Sequence, residues 1–195
     1  MSKRALTADE IALAKTVFGD SIDYAAVRLH DKRILPPLIQ EREQAVAKGN
    51  DISFPRGAYS DDFSAEPDAK KQSVFIHEMT HVWQHQNHVV STVKEAVKET
   101  LQHAFRYDRA YFHTLDEKKD LTDYGFEQQA AIMQDYFLLT RHGVTDSYKN
   151  RRKNTEDAGA LKKKYEAVLK NFHRNPAYAQ AFKRAGRKNA PKKNP

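Results

Sequence analysis

The sequence predicts an α+β domain, mainly helical, with a small β-sheet. Three observations predict it. Apolar residues recur at helical spacing over long segments, roughly residues 8–18, 68–87, 92–105 and 124–140. The candidate strands, by contrast, are runs of about three residues, enough for a small sheet only. No internal repeat or clear linker breaks the first 145 residues of the 195-residue chain, a length that suits one domain with a moderate core.

The elements follow in order. Thr7-Ala8-Asp9-Glu10 is a capping box: a threonine hydroxyl and a glutamate three positions on satisfy free N–H groups at a helix start. Ile11, Leu13, Ala14 and Val17 carry the apolar stripe to Phe18, and Gly19-Asp20 stops it. Ile22 to Leu29 holds a short extended segment with Val27 and Leu29 on one face. Ile34-Leu35-Pro36-Pro37 is a loop or strand end, since Pro37 biases Pro36 away from helix. Ile52-Ser53-Phe54 and Gly57-Ala58-Tyr59 read as two short strands around Pro55-Arg56. Either could be a sheet edge on which an extended peptide docks, although hairpin packing is the plainer reading.

Ser60 to Pro67 is acidic and loop-like. Asp68 then opens a helix that no Gly or Pro interrupts before about Asn87. A further helix is predicted from Thr92 to Phe105, a strand from Ala110 to Leu115, and a charged turn from Asp116 to Asp120. Tyr124 to Thr140 is strongly helical and ends near Gly143. Ala158 to Phe172 and Ala177 to Phe182 form a lysine-rich helical end, split by Asn175-Pro176. The expected organisation is a domain over 1–145, a helical extension over 146–182 and a basic, disordered tail over 183–195.

Composition excludes several classes of function. With no cysteine there are no disulfides, thiolate metal sites or cysteine nucleophiles, so any transition-metal site is built from His, Asp and Glu. The net charge of +7 does not describe a nucleic-acid-binding face. Lys183, Arg184, Arg187, Lys188, Lys192 and Lys193 supply +6 of it, leaving +1 on the first 182 residues. Such a tail is solvated, or contacts an anionic partner. A mean hydropathy of −0.82 and the absence of a long apolar run exclude a membrane span. Met1-Ser2-Lys3-Arg4-Ala5-Leu6 has no signal-peptide core, so the expectation is a cytoplasmic protein, or one exported without a cleavable signal.

The chemistry is concentrated in His77-Glu78-Met79-Thr80-His81. On a helix, residues four apart lie about 40° apart around the axis and one turn apart along it, so both imidazoles reach one ion. Glu78 falls about 100° round from His77, placed to hold a water without being a ligand. The flanking residues Val74, Phe75, Ile76, Val82 and Trp83 are apolar. Burying two histidines and a glutamate among them is costly unless a metal compensates. The alternative is a helix whose histidines pack as neutral, hydrogen-bonded groups. His77, His81 and Glu78 are thus two candidate zinc ligands and a general base.

A third ligand is required. His85 on the same straight helix would stretch the set over about 12 Å, too far for one ion. His88 lies one residue beyond the spacing of an all-histidine site and no glycine permits the necessary turn. Glu127 is the better candidate, because Ala130 and Ala131, one turn further on, let its helix approach the motif helix closely. A helix-dipole role for Glu127 remains the competing reading. Asp123 and Asp135 are also available, more naturally as partners orienting a ligand imidazole.

Phe75-Ile76-His77-Glu78-Met79-Thr80-His81-Val82-Trp83-Gln84, followed by the helix bearing Glu127, resembles the gluzincin group of metallopeptidases. More closely, this stretch, Val17 to Tyr24 and Tyr124 to Tyr136 are similar to small Vgr- or Rhs-related metallopeptidase domains of bacterial type VI secretion and contractile-injection loci. The resemblance covers roughly residues 6–140 and is most specific at the motif and around Glu127. It implies a zincin-like fold with an active-site helix, a second ligand-bearing helix and a small sheet. It further implies Zn2+ on His77, His81 and Glu127, Glu78 as base, and a secretion-system partner.

The expected activity is hydrolysis of a peptide or amide bond by a zinc-activated water, acting on a protein or peptide substrate. Tyr124, Tyr136, His103 and His113 are candidates for stabilising the oxyanion. A toxin-type cell-wall amidase uses the same chemistry on another substrate. A non-catalytic adaptor of a secretion apparatus is the third reading, against which stands the complete set of ligands and base.

Overall fold

The computed structural model describes residues 3–35, 45–89, 111–146 and 156–179. The predicted helix at Thr92–Phe105, His103, Pro36-Pro37 and the basic tail lie outside them. The architecture is α+β. Four strands, β1 (Lys3–Arg4), β2 (Arg28–His30), β3 (Val46–Lys48) and β4 (Asp51–Ser53), form one sheet in the order β1-β2-β4-β3. The β2–β4 pair is parallel and the other two pairs are antiparallel. Among the described residues five α-helices accompany it: α1 (Ala8–Phe18), α2 (Ala69–Gln86), α3 (Phe126–His142), α4 (Ala158–Val168) and α5 (Lys170–Arg174).

The capping box forms as predicted. Thr7 Oγ1 accepts the Glu10 N–H while Glu10 Oε2 accepts the Thr7 N–H. Glu10 does more than cap, because its fully buried carboxylate also takes a bidentate Arg4 guanidinium at 2.7 and 2.8 Å and the Phe63 N–H. Arg4 in turn donates to Tyr59 Oη and Ser60 O. One ion pair therefore joins β1, α1 and the loop after the sheet.

Three strand assignments need correction. Ile52 lies in a strand, but that strand is Asp51–Ser53 and it is interior, between β2 and β3. It is no edge for a peptide. Gly57-Ala58-Tyr59 is not a strand either: Arg56–Ala58 is one 3-10 turn, closed by Ala58 N–H on Pro55 O. The strand expected up to Leu115 is absent over residues 111–115. Side chains take its backbone carbonyls instead, His113 Nδ1 that of Tyr111, Gln128 Nε2 that of Phe112 and Tyr124 Oη that of Thr114. Sequence reading also missed β1 and the hairpin of β3 and β4, which turns through Gly49-Asn50 with Gly49 at φ +64°.

α2 is the central element, packed against β3, α1 and α3. On one side Phe75 stacks on Phe63, which meets Phe54 from the end of β4. On another, Trp83 meets Phe172 edge-to-face and donates its indole N–H to Pro176 O at 2.7 Å. Phe172 also contacts Phe18, and Leu161, Tyr165, Val168 and Leu169 are buried in the same core. The segment from α4 to Ala179 therefore covers one face of the motif helix.

Candidate metal centre

α2 begins where Asp68 accepts the Lys70 N–H and runs without interruption through the motif. Its apolar neighbours bury the motif almost completely, as the flanking residues predicted. α3 begins at Phe126, two residues later than the pattern suggested, because Gln128 reaches back to the Gly125 N–H. It ends at Gly143, in the left-handed region at φ +68°. Glu127 accordingly sits in its first turn.

Side-chain hydrogen bonds join the two helices along their length, the farthest from Glu127 being His142 Nε2 with Gln72 Oε1 at 3.1 Å. Gln84 Nε2 donates to Phe126 O and to Gln129 Oε1, and farther along Gln134 Nε2 donates to Ser73 Oγ. Ala130 and Ala131 lie between these joints with no exposed surface. Small residues here allow the close approach that brings Glu127 to the histidines.

His77, His81 and Glu127 converge, their ligand atoms all within 4.8 Å of one another. Glu127 Oε2 stands 3.4 Å from His77 Nε2 and 3.3 Å from His81 Nε2. That buried oxygen has no hydrogen-bond partner among the described residues, although two nitrogens face it. The spacing has a simple meaning. Nitrogen and oxygen ligands about 2.0–2.1 Å from a tetrahedral ion are separated by about 3.4 Å. The donor set and its edges therefore suit a zinc-sized ion.

The electrostatics agree. Burial by itself raises the Glu127 carboxyl pKa, yet His81 and His77 hold it well below the usual carboxylate range. Burial by itself lowers the His81 pKa, yet Glu127, with Glu78 and Gln84, brings it to about 9. Without metal, a proton on His81 balances the carboxylate. Glu78 is buried, 5% exposed, and is absent from the ligand cluster. The Phe126 ring stacks on His81 at 4.4 Å and the Tyr111 ring lies 5.7 Å from that of His77, so aromatic groups hold both imidazole planes.

Other sequence candidates fall elsewhere. Asp123 accepts the Asp120 N–H in a 3-10 turn, so it orients no ligand. Asp135 lies 3.7 Å from His113, both buried. Burial depresses the His113 pKa. Tyr124 Oη is engaged by Asp116 N–H and Thr114 O. Tyr136 packs on Tyr165 and His173 and lines a separate cleft of about 620 Å³ with Gln72, Arg141 and His142. The partner on His81 Nδ1 is Gln84 Oε1, at 2.7 Å. Sequence reading overlooked Gln84 in that role, although its i+3 spacing from His81 was a usable signal. The sheet edge beside α2 is β3.

Residues 6–89 match the family model of the eCIS core domain. The chain is 40% identical over 172 residues to the type VI secretion system spike protein VgrG2b of Pseudomonas aeruginosa, a match covering 87% of this chain but only 15% of that protein's length. The solved structure of the effector domain of Pseudomonas aeruginosa VgrG2b superposes with a TM-score of 0.61 at 40% identity, covering 77% of this chain and 82% of that one.

Proposed function

We propose, proceeding from the fact that the chain belongs to the family of the Pseudomonas aeruginosa VgrG2b effector domain, that it is a zinc-dependent hydrolase of peptide or amide bonds associated with a contractile secretion apparatus. The observation that carries the reading is the convergence of His77, His81 and Glu127, with Glu78 buried on the same helix. His77, His81 and Glu127 would hold the zinc ion, which when bound would supply Lewis acidity and lower the pKa of water towards about 7. Glu78 takes the proton from the attacking water and returns it to the departing amine as the C–N bond breaks. Glu127 contributes the one negative charge of the ligand set and the imidazoles contribute neutral nitrogens. An extended peptide has a place to pair along β3, the sheet edge that packs on α2.

The secretion association rests on the relatives. VgrG2b is named a spike protein and its related portion an effector domain. An effector carrying this chemistry would meet its substrate outside the producing cell, which brings cell-wall peptides into the substrate class.

Glu78→Gln tests the chemistry. It should retain one zinc per chain and lose hydrolysis of unstructured protein and peptidoglycan peptides. Turnover at the wild-type rate in that variant would sink the mechanism. Expression directed to the periplasm tests the destination. Lysis there and not in the cytoplasm is expected for a wall substrate, and equal tolerance in both compartments would remove the wall from consideration.

A further inference from the structure

We infer that Gln84 is the positioning residue of this centre, fixing the tautomer of His81 and tying that ligand to the backbone beside Glu127. The inference rests on the reading of His77, His81 and Glu127 as a zinc site. It follows from a chain of hydrogen bonds whose direction is set at both anchors.

Gln129 Nε2 lies 2.8 Å from Tyr124 O, a backbone carbonyl that can only accept. The amide nitrogen of Gln129 must therefore point there, and its Oε1 points the other way, towards Gln84. Gln84 Nε2 lies 3.0 Å from that Oε1 and 2.9 Å from Phe126 O, a second backbone acceptor. The Gln84 amide is thus oriented twice over, which leaves its Oε1 facing His81 Nδ1 at 2.7 Å. An acceptor at that distance requires Nδ1 to carry the proton. With Nδ1 occupied, Nε2 is the nitrogen available to a metal, and Nε2 is the atom that faces Glu127 at 3.3 Å.

Both glutamines are buried, at 1% and 4% exposure, so water offers little substitute for these bonds. The anchors are the carbonyls of Tyr124 and Phe126, which flank the entry to α3 and lie within three residues of Glu127. One side chain therefore aims the imidazole on α2 and holds the start of the helix that brings the carboxylate. Hydrogen bonds of this kind raise ligand basicity, and their loss typically lowers metal affinity about 10–100-fold.

The test compares zinc affinity, by chelator competition, in wild type, Gln84→Met and Gln84→Glu. It adds long-range 1H–15N spectra of the histidine rings in zinc-loaded wild type. Those spectra should show His81 protonated at Nδ1 and metallated at Nε2. Gln84→Met should bind zinc about 10–100-fold more weakly with unchanged helical circular dichroism. Gln84→Glu keeps an acceptor for Nδ1 and should recover most of that loss, at lower thermal stability because its second oxygen meets Phe126 O. Equal affinity in wild type and Gln84→Met, or His81 metallated at Nδ1, overturns this inference alone. Wild-type protein that binds no zinc overturns the metal centre and the inference with it. The ring spectra need no variant, so they test the assignment even where Gln84→Met fails to fold.

Discussion

Replacing Ala131 by leucine tests the relation between helix spacing and the metal site. Ala131 has no exposed surface and lies one turn from Glu127, between the Gln84–Gln129 and Ser73–Gln134 joints of the helix pair. An isobutyl group in place of this fully buried methyl must displace its neighbours, so α3 moves away from α2 or strains in place. Overpacking of this kind costs about 1–3 kcal/mol. The proposed metal site is less tolerant than the fold. Glu127 Oε2 now stands 3.3–3.4 Å from the two imidazole nitrogens, close to the edge of a tetrahedron about a zinc-sized ion. An opening of about 1 Å takes that edge beyond 4 Å and leaves two ligands in place of three. Zinc affinity should then fall at least tenfold, or about 1.4 kcal/mol. Chelator competition measures it, with thermal unfolding in EDTA as the separate measure of the fold. A variant that loses stability yet binds zinc as wild type does would refute the argument, because spacing would then not be what positions Glu127.

Further outcomes follow from the same geometry. Zinc must displace the His81 proton, so apparent affinity should rise about tenfold per pH unit from pH 7 and level off near pH 9, with proton release detectable by calorimetry in buffers of different ionisation enthalpy. In the metal-free protein the sign is opposite. The His81–Glu127 pair contributes its full stability between the ordinary carboxyl pKa of about 4.5 and the ordinary histidine pKa of about 6.5; it loses that stability as pH rises through about 9 and again in acid as Glu127 is protonated, which thermal melts in EDTA will show. Arg4→Met leaves the Glu10 carboxylate buried without its cation and should cost about 3–5 kcal/mol in urea unfolding; a loss below 1 kcal/mol would mean that the Thr7 and Phe63 N–H groups suffice. Trp83→Phe removes the donor to Pro176 O and should cost about 1–3 kcal/mol with zinc affinity unchanged, measured by the same two assays.

The site was more legible than the sheet, for reasons that lie in the residues. His77, Glu78 and His81 stand on one uninterrupted helix, where spacing converts directly into direction. Glu127 could be read because two alanines marked the face on which its helix approaches. Strands of two or three residues give alternation no length in which to appear, so β1 and β3 were invisible and Gly57-Ala58-Tyr59 was mistaken for one. Ala110 to Leu115 read as a strand from its side chains, but which groups take the carbonyls of Tyr111 and Thr114 is a tertiary fact. Gln84 was overlooked because an amide offers no metal chemistry of its own. Its role exists only through Gln129 and Phe126, residues remote in sequence that the fold brings to it.

The bond from Trp83 to Pro176 also bears on the order of assembly. The helix that carries both histidines has one face covered by Phe172 and anchored at Pro176, from the last part of the described chain. During synthesis α2 leaves the ribosome roughly ninety residues before that cover, at about 5–20 residues per second. For that whole interval the nascent chain carries the His77–His81 motif without the packing behind Trp83, and for roughly the first forty residues of it without the carboxylate on α3 as well. The cluster of His77, His81 and Glu127 is therefore completed late, and the cover over the helix that bears its histidines comes last, with the segment around Phe172 and Pro176.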